Sequence, residues 1–273
     1  MPAAAPIPVG PAGAATGKPI DLSALRSFDA SLNLETSAVV VGSLKVAYAD
    51  MDAKLSNGLF KINKLTGQFF GGAVDFNGTI DATKKALAID FRGSLQGIYF
   101  AEMLRGAVGT NIFGNDHLTV SIDGKINITD ISIQGGGVSP EEIRNSLTGR
   151  GQVSGSLYPA VAKGSLGFAS FATGLGSIFS TEMGFNAAVL SGFINHQSTV
   201  IGEIVLAKGT VSLRNHTVQG LNAIARITSN NSLVAATTDT VITLDTGVRG
   251  PVDYVFTVKG PIAAPSMSTR GGN

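Results

Sequence analysis

GLFKINKLTGQFFGGAVDFNGTID, residues 58–81, carries the clearest structural signal in the chain. Its second half alternates. Val74, Phe76, Gly78 and Ile80 fall on one side, and Ala73, Asp75, Asn77, Thr79 and Asp81 on the other. A period of two marks a half-buried strand. Asn57-Gly58 is a two-residue hairpin turn by composition. Gly71-Gly72 separates the two apolar runs, where a turn or bulge needs positive φ or leaves no room for a Cβ. The stretch therefore reads strand, Asn-Gly turn, strand, Gly-Gly, strand, with one apolar side that needs a cover.

The pattern extends in both directions. Upstream, Asp21 is placed to cap a short turn through Leu25. Phe28, Ala30, Leu32 and Leu34 share a face, Val39–Asp50 reads as one longer strand, and Met51–Ser56 leads into the hairpin. Downstream, Leu87, Ile89 and Phe91 alternate, then Leu118, Val120, Ile122, Gly124 and Ile126 against Thr119, Ser121, Asp123 and Lys125. Two short helices are predicted. Tyr99–Val108 has helical apolar spacing. The second has Ser139 as N-cap, Pro140 first and Glu142 third, a capping box. It ends at Leu147, with Gly149 as the residue after the cap.

Gly151–Leu157 reads as a strand. Residues 160–184 carry no charge between Gly164 and Thr181 but are rich in Gly, Ser and Thr. Such a segment is a poor membrane span and predicts an amphipathic or sheet-covering helix. Strands resume at Ala187–Asn195, Glu203–Ala207, Val211–Arg214, Val218–Thr228, Val241–Leu244 and Val252–Lys259, and the tail from Gly260 reads as loop.

The organisation expected is a Pro/Ala/Gly linker over 1–18, a β domain over 19–260 and a flexible tail over 261–273. Within the domain, strand-rich halves 19–156 and 185–260 are joined by a helical segment, 157–184. The linker has neither a charged start nor an apolar core, so it is not a signal peptide. It is read as following a longer upstream segment.

Composition narrows the function classes. Hydrophobic residues make up 44% and charged residues 14%, and the 35 glycines suit a turn-rich β fold. A net charge of +1 leaves no electrostatic footprint for nucleic acid. Without cysteine there is no disulfide or thiol chemistry. The three histidines, His117, His196 and His216, have no metal-ligand spacing. Thr16-Gly-Lys18 lacks the rest of a phosphate loop, and no nucleophile elbow is present. Gly135–Gly137 reads as a flexible turn, and Glu141-Glu142 as helix capping. The sequons at Asn77, Asn127, Asn215 and Asn231 read as polar residues on the wet strand face. No cofactor, metal or enzymatic activity is expected.

Roughly ten to twelve strands each place about three apolar side chains on one face, and burying one such side chain is worth about 1.5–3 kcal/mol. Three short helices cannot cover so wide a face. The sheet must fold on itself as a sandwich, close into a barrel, or curl into a groove filled by an apolar ligand. An outer-membrane barrel is disfavoured, because its aromatic girdles have no counterpart in a chain with no Trp and four Tyr.

The order of these segments resembles the C-terminal domain of the AsmA family of bacterial envelope proteins. Pro19-Ile-Asp-Leu-Ser-Ala-Leu-Arg-Ser-Phe-Asp-Ala30 is similar to that domain's opening segment. Gly58-Leu-Phe-Lys-Ile, followed by Phe70-Gly71-Gly72 and the strand to Ala82, is similar to its most characteristic hairpin. Gly97-Ile-Tyr-Phe-Ala-Glu-Met-Leu104 resembles its short helix, and Ser139–Ser154 the capped helix and following strand. The likeness covers residues 19–157 and weakens after Val218. The family's N-terminal membrane helix has no counterpart in this sequence.

The resemblance implies a mostly β fold, a long curved antiparallel sheet forming an open groove or half-barrel with two or three short helices. It implies a non-enzymatic periplasmic protein, anchored to the inner membrane through an upstream segment. Phospholipid or another acyl lipid would slide along the groove between inner and outer membranes, serving phospholipid transport and outer-membrane assembly. On this reading Leu32, Leu34, Val74, Phe76, Ile80, Leu87, Ile89, Phe91, Val120 and Ile122 line the groove. Asp75, Asn77, Asp90, Asp123 and Lys125 face the periplasm. The alternative is a structural or adhesin-like β-sandwich module that binds no lipid.

Overall fold

The computed structural model describes residues 19–41, 44–103, 120–161, 192–246, 254–262 and 265–271. Strands dominate. They are β1 (Ala30–Val41), β2 (Leu44–Ser56), β3 (Leu59–Phe69), β4 (Gly72–Asp81), β5 (Leu87–Tyr99), β6 (Val120–Gly137), β7 (Thr148–Val161), β8 (Ser198–Ala207), β9 (Thr210–Gln219), β10 (Ile224–Ser232), β11 (Thr237–Asp245), β12 (Tyr254–Pro261) and β13 (Ser266–Gly271). Two helices are α1 (Ser23–Arg26) and α2 (Pro140–Ser146). Residues 100–103 and 192–193 are also helical.

All thirteen strands form one sheet, and their order in space is their order in the chain. Every neighbouring pair is antiparallel, and β1 and β13 do not pair with each other. The fold is therefore an open meander and not a barrel. A sandwich needs a second sheet, and the described strands supply only this one. β7 pairs directly with β8, so the stretches before and after residues 162–191 belong to the same sheet.

Turn chemistry explains the local order. Asn57 and Gly58 both have positive φ (51° and 83°), as a type I′ hairpin requires. The next turn is Phe70-Gly71 (φ 45° and 72°), one residue earlier than the Gly-Gly pair suggests. Gly72 instead opens β4, where a Cβ would stand 2.4 Å from the Gln96 carbonyl oxygen.

Several other expectations are corrected. Val39–Asp50 is the end of one strand and the start of the next, and Met51–Ser56 continues β2. Asp21 does not cap α1. Its carboxylate accepts the Ser23 N–H at 2.9 Å in a turn, and Leu22 occupies the cap position. Gly135–Gly137 is the end of β6, because α2 packs on it: a Cβ on Gly137 would meet the Glu142 Cβ at 2.5 Å. Gly149 lies inside β7, as do residues 157–161. Phe193 is helical, and Asn195 sits in a turn. Val218–Thr228 is broken between β9 and β10, where the Gly220 N–H donates to the Ala223 carbonyl at 2.8 Å. Ser266–Gly271 forms β13, paired along β12, where the sequence reads as loop.

The predicted cap of α2 is present. Ser139 Oγ accepts the Glu142 N–H at 3.2 Å, and the Glu142 carboxylate accepts the Val138 N–H at 2.9 Å. α1 is held by Arg26, whose guanidinium donates to the Ala82 and Lys84 carbonyls beyond β4. The linker 1–18, residues 104–119 with His117, and the segment 162–184 lie outside the described residues.

Candidate functional site

Residues directly opposite in an antiparallel pair share a face, so the pairing register can be followed across the sheet. Leu32 faces Ala53, and Leu34 faces Met51. Ala53 faces Ile62, and Met51 faces Leu65. Leu65 faces Phe76, and Phe60 faces Ile80. Val74 faces Leu95, and Ile80 faces Ile89. Phe91 faces Ile133, and Ile98 faces Ile126. Ile128 faces Val153, and Ile122 faces Pro159. From Phe60 in β3 to Leu157 in β7, every residue that register places on this face is apolar or glycine.

The ten residues named from the sequence as groove lining all belong to this one face. Val74, Phe76, Ile80, Leu87, Ile89 and Phe91 lie together on β4 and β5. Leu32 and Leu34 sit on the edge strand β1, separated from β4 by β2 and β3. Val120 and Ile122 are placed by backbone register alone, opposite Val161 and Pro159. Asp75, Asn77, Asp90, Asp123 and Lys125 share the opposite face, where the Lys125 ammonium lies 4.7 Å from the centre of the Tyr99 ring.

Glycines shape the lining. Phe76 is opposite Gly93, and Phe91 is opposite Gly78. A Cβ on Gly93 would come within 2.6 Å of the Phe76 ring, and one on Gly78 within 2.5 Å of the Phe91 ring. Each ring thus occupies the space above its glycine and lies low on the sheet.

The face is packed unevenly. At the end bearing the Phe70-Gly71 turn, Ile98, Ile126, Val153, Leu157 and Val200 form a buried cluster, with Phe69, Phe70, Phe100 and Met103 against it. A second cluster joins Phe193, Ala223, Leu244, Tyr254 and Phe256. Away from these clusters Phe76, Ile80, Leu87, Ile89 and Phe91 are half-buried, and Leu32 is 39% exposed. Water contact with so much apolar surface is unfavourable, and a large exposed apolar patch marks an interaction surface.

Part of the lining was missed in the sequence because bulges interrupt the alternation. Ile126 and Ile128 are even-numbered and Ile131 and Ile133 odd-numbered, yet all four share the face. The register shifts between Thr129 and Ser132, and Asp130 takes a left-handed φ of 52°. Ile62 and Leu65 are separated by a similar shift. A bulge inserts one residue and resets the phase. The paired phases Ile-x-Ile and Ile-x-Ile around Thr129-Asp130 were the signal that could have revealed it.

The face changes character beyond β8. Gly202 accommodates the imidazole of His216, which is 8% exposed. His216 Nε2–H donates to the Glu203 carbonyl at 3.0 Å. Burial holds the imidazole below the ordinary histidine range, against a smaller upward pull from that hydrogen bond. Ser229 faces Thr240, and Asn231 faces Thr238, on the same face. Asn231 is therefore not on the wet face as expected. Asn127 accepts the Gly97 N–H at 2.8 Å, where β5 bulges.

The opposite face carries a depression of about 850 Å³ lined by Asp75, Asn77, Arg92, Asp130, Gln134 and Arg150 among others. Its charges are of both signs, and the Gln134 amide donates to Asp90 at 3.0 Å. Among the described residues no helix is long and apolar enough to cross a membrane, and no group of three acidic or histidine side chains is placed to hold a metal ion. A scan against protein-family models found no match, and neither curated proteins nor solved structures gave one.

Proposed function

We propose that the apolar face is an open groove for lipid acyl chains, and that the protein is a non-enzymatic lipid-binding protein of the bacterial envelope. The observation that carries this reading is the unbroken apolar surface from β3 to β7 on an open single sheet, half-exposed over its central rows. An acyl chain sliding over it exchanges one set of apolar contacts for an equivalent one, so no position holds it tightly. The resemblance of residues 19–157 to the AsmA C-terminal domain supports the same reading. It adds phospholipid transport between the membranes and a periplasmic setting. The single sheet formed by the described strands favours this reading over the sandwich alternative.

The test is native mass spectrometry of the purified chain beside organic extraction and lipid analysis. Bound phospholipid is expected with the wild type. It should be lost from a Phe76→Asp/Ile89→Asp variant that keeps its circular dichroism spectrum. Lipid retained by that folded variant, or a wild type that carries none and takes up none, sinks the proposal.

A further inference from the structure

Four polar side chains interrupt the apolar face on β10 and β11, and hydrogen bonds link them in a row. The Asn231 amide donates to Ser229 Oγ at 2.8 Å, and more weakly to the Val211 carbonyl at 3.4 Å. Ser229 Oγ lies 2.6 Å from Thr240 Oγ1, which lies 3.0 Å from Thr238 Oγ1. Ser229 is 2% exposed, and a buried hydroxyl must place its proton. The Ser229 hydroxyl has no other acceptor among the described residues, so its buried O–H donates to Thr240. The Thr240 O–H in turn has Thr238 as its one acceptor among the described residues, and it donates there. The chain ends on the Thr238 O–H, which has no acceptor among the described residues, on a half-buried side chain facing the groove.

A face that needed only to be dry would carry valine here, as it does at Val258, opposite Thr240 on β12. Replacing both partners of a hydrogen bond with apolar groups of the same shape is nearly neutral for stability. The ladder is therefore not explained by folding alone. Its free donor matches an acceptor oxygen.

We infer that the Asn231–Ser229–Thr240–Thr238 ladder is a polar station in the groove that donates a hydrogen bond to an oxygen at the headgroup end of a bound acyl lipid. That oxygen is a glycerol-ester carbonyl or a phosphate oxygen. The inference rests on the lipid-groove reading above and adds a fixed place for the lipid's polar end. Acyl chains would then extend toward the wholly apolar strands β3–β7.

The experiment measures binding of dioctanoyl phosphatidylcholine and of its diether analogue, which lacks ester carbonyls. The proteins are wild type, Thr238→Val and Thr238→Ser. Thr238→Val keeps the shape and removes the terminal donor, and Thr238→Ser keeps the donor. Loss of one hydrogen bond is expected to weaken binding about two- to tenfold in Thr238→Val, with Thr238→Ser close to wild type. Weakening for the diester alone assigns the carbonyl, and weakening for both lipids assigns the phosphate. Equal binding of both lipids by wild type and a folded Thr238→Val overturns the station while leaving the groove intact. A wild type that binds neither lipid overturns the groove reading and the station with it. If Thr238→Val does not fold, Thr238→Ala reads the same loss of donor.

Discussion

Strands β3–β7 and β9–β12 belong to one sheet and share one face, yet they line it differently. In β3–β7 the face is aliphatic, aromatic or glycine throughout. In β9–β12 it also holds His216, Ser229, Asn231, Thr238 and Thr240. Both regions keep strand geometry, because either kind of side chain fits a pleated surface. The difference is in what the face can hold. The first region offers contacts without direction, and the second offers oriented hydrogen bonds. A groove with both can let one end of a molecule slide and hold the other.

The largest expected effect breaks the packed end of the apolar region. Ile98 is 1% exposed in its cluster, and Ile98→Ala should lower the unfolding free energy by about 2–5 kcal/mol in urea melts. Ile89→Ala, on the half-exposed part of the same face, should cost well under that. Equal costs would mean the two parts are equally packed, and the open surface would be lost as an argument.

Gly93→Val comes next. Its Cβ would stand 2.2 Å from the Asp75 carbonyl oxygen and against the Phe76 ring. Overpacking of this kind costs about 1–3 kcal/mol, and a shift in the urea midpoint measures it. A neutral result would remove the idea that ring-over-glycine pairs set the height of the lining.

Ser139→Ala tests α2, which packs across the end of β6. Loss of the cap should cost about 1 kcal/mol, and amide exchange along α2 should quicken more than in β4.

The smallest effect concerns the mixed region and is read from pH. Because burial depresses the His216 imidazole, the unfolded chain binds its proton more readily than the folded one. The contribution is fully present above the ordinary histidine value of about 6.5. It is lost as pH falls below that value and through the lower folded one. Melts from pH 7.5 to 5 should show this acid loss in the wild type and a flatter profile in His216→Gln. An identical slope in both would show that His216 is not held neutral by its site.

Legibility in the sequence followed locality. The Asn57-Gly58 turn, the Ser139 cap and the alternation in β4 and β5 depend on neighbouring residues, and all were readable. The strand at Ser266–Gly271 was not, because its sequence has no periodic apolar pattern and its place depends on β12 as a partner. Phe70-Gly71 was misplaced by one residue because two glycines in a row leave the turn position ambiguous. Of the ten predicted lining residues, those on β4 and β5 were readable because no bulge falls between Val74 and Phe91. Ile131 and Ile133 lay beyond a phase break and were missed.

Sequence by itself determined that the chain is β, where some of its turns and its capped helix fall, and that strands such as β4 and β5 have one apolar side. Those properties come from steric and hydrophobic preferences that act within a few residues. Only tertiary structure decided that the sides join into one face, that the edges stay open, and that Asn231 turns inward to Ser229. Bulges change which residues point up, and the pairing partner, distant in the chain, decides which phase meets which.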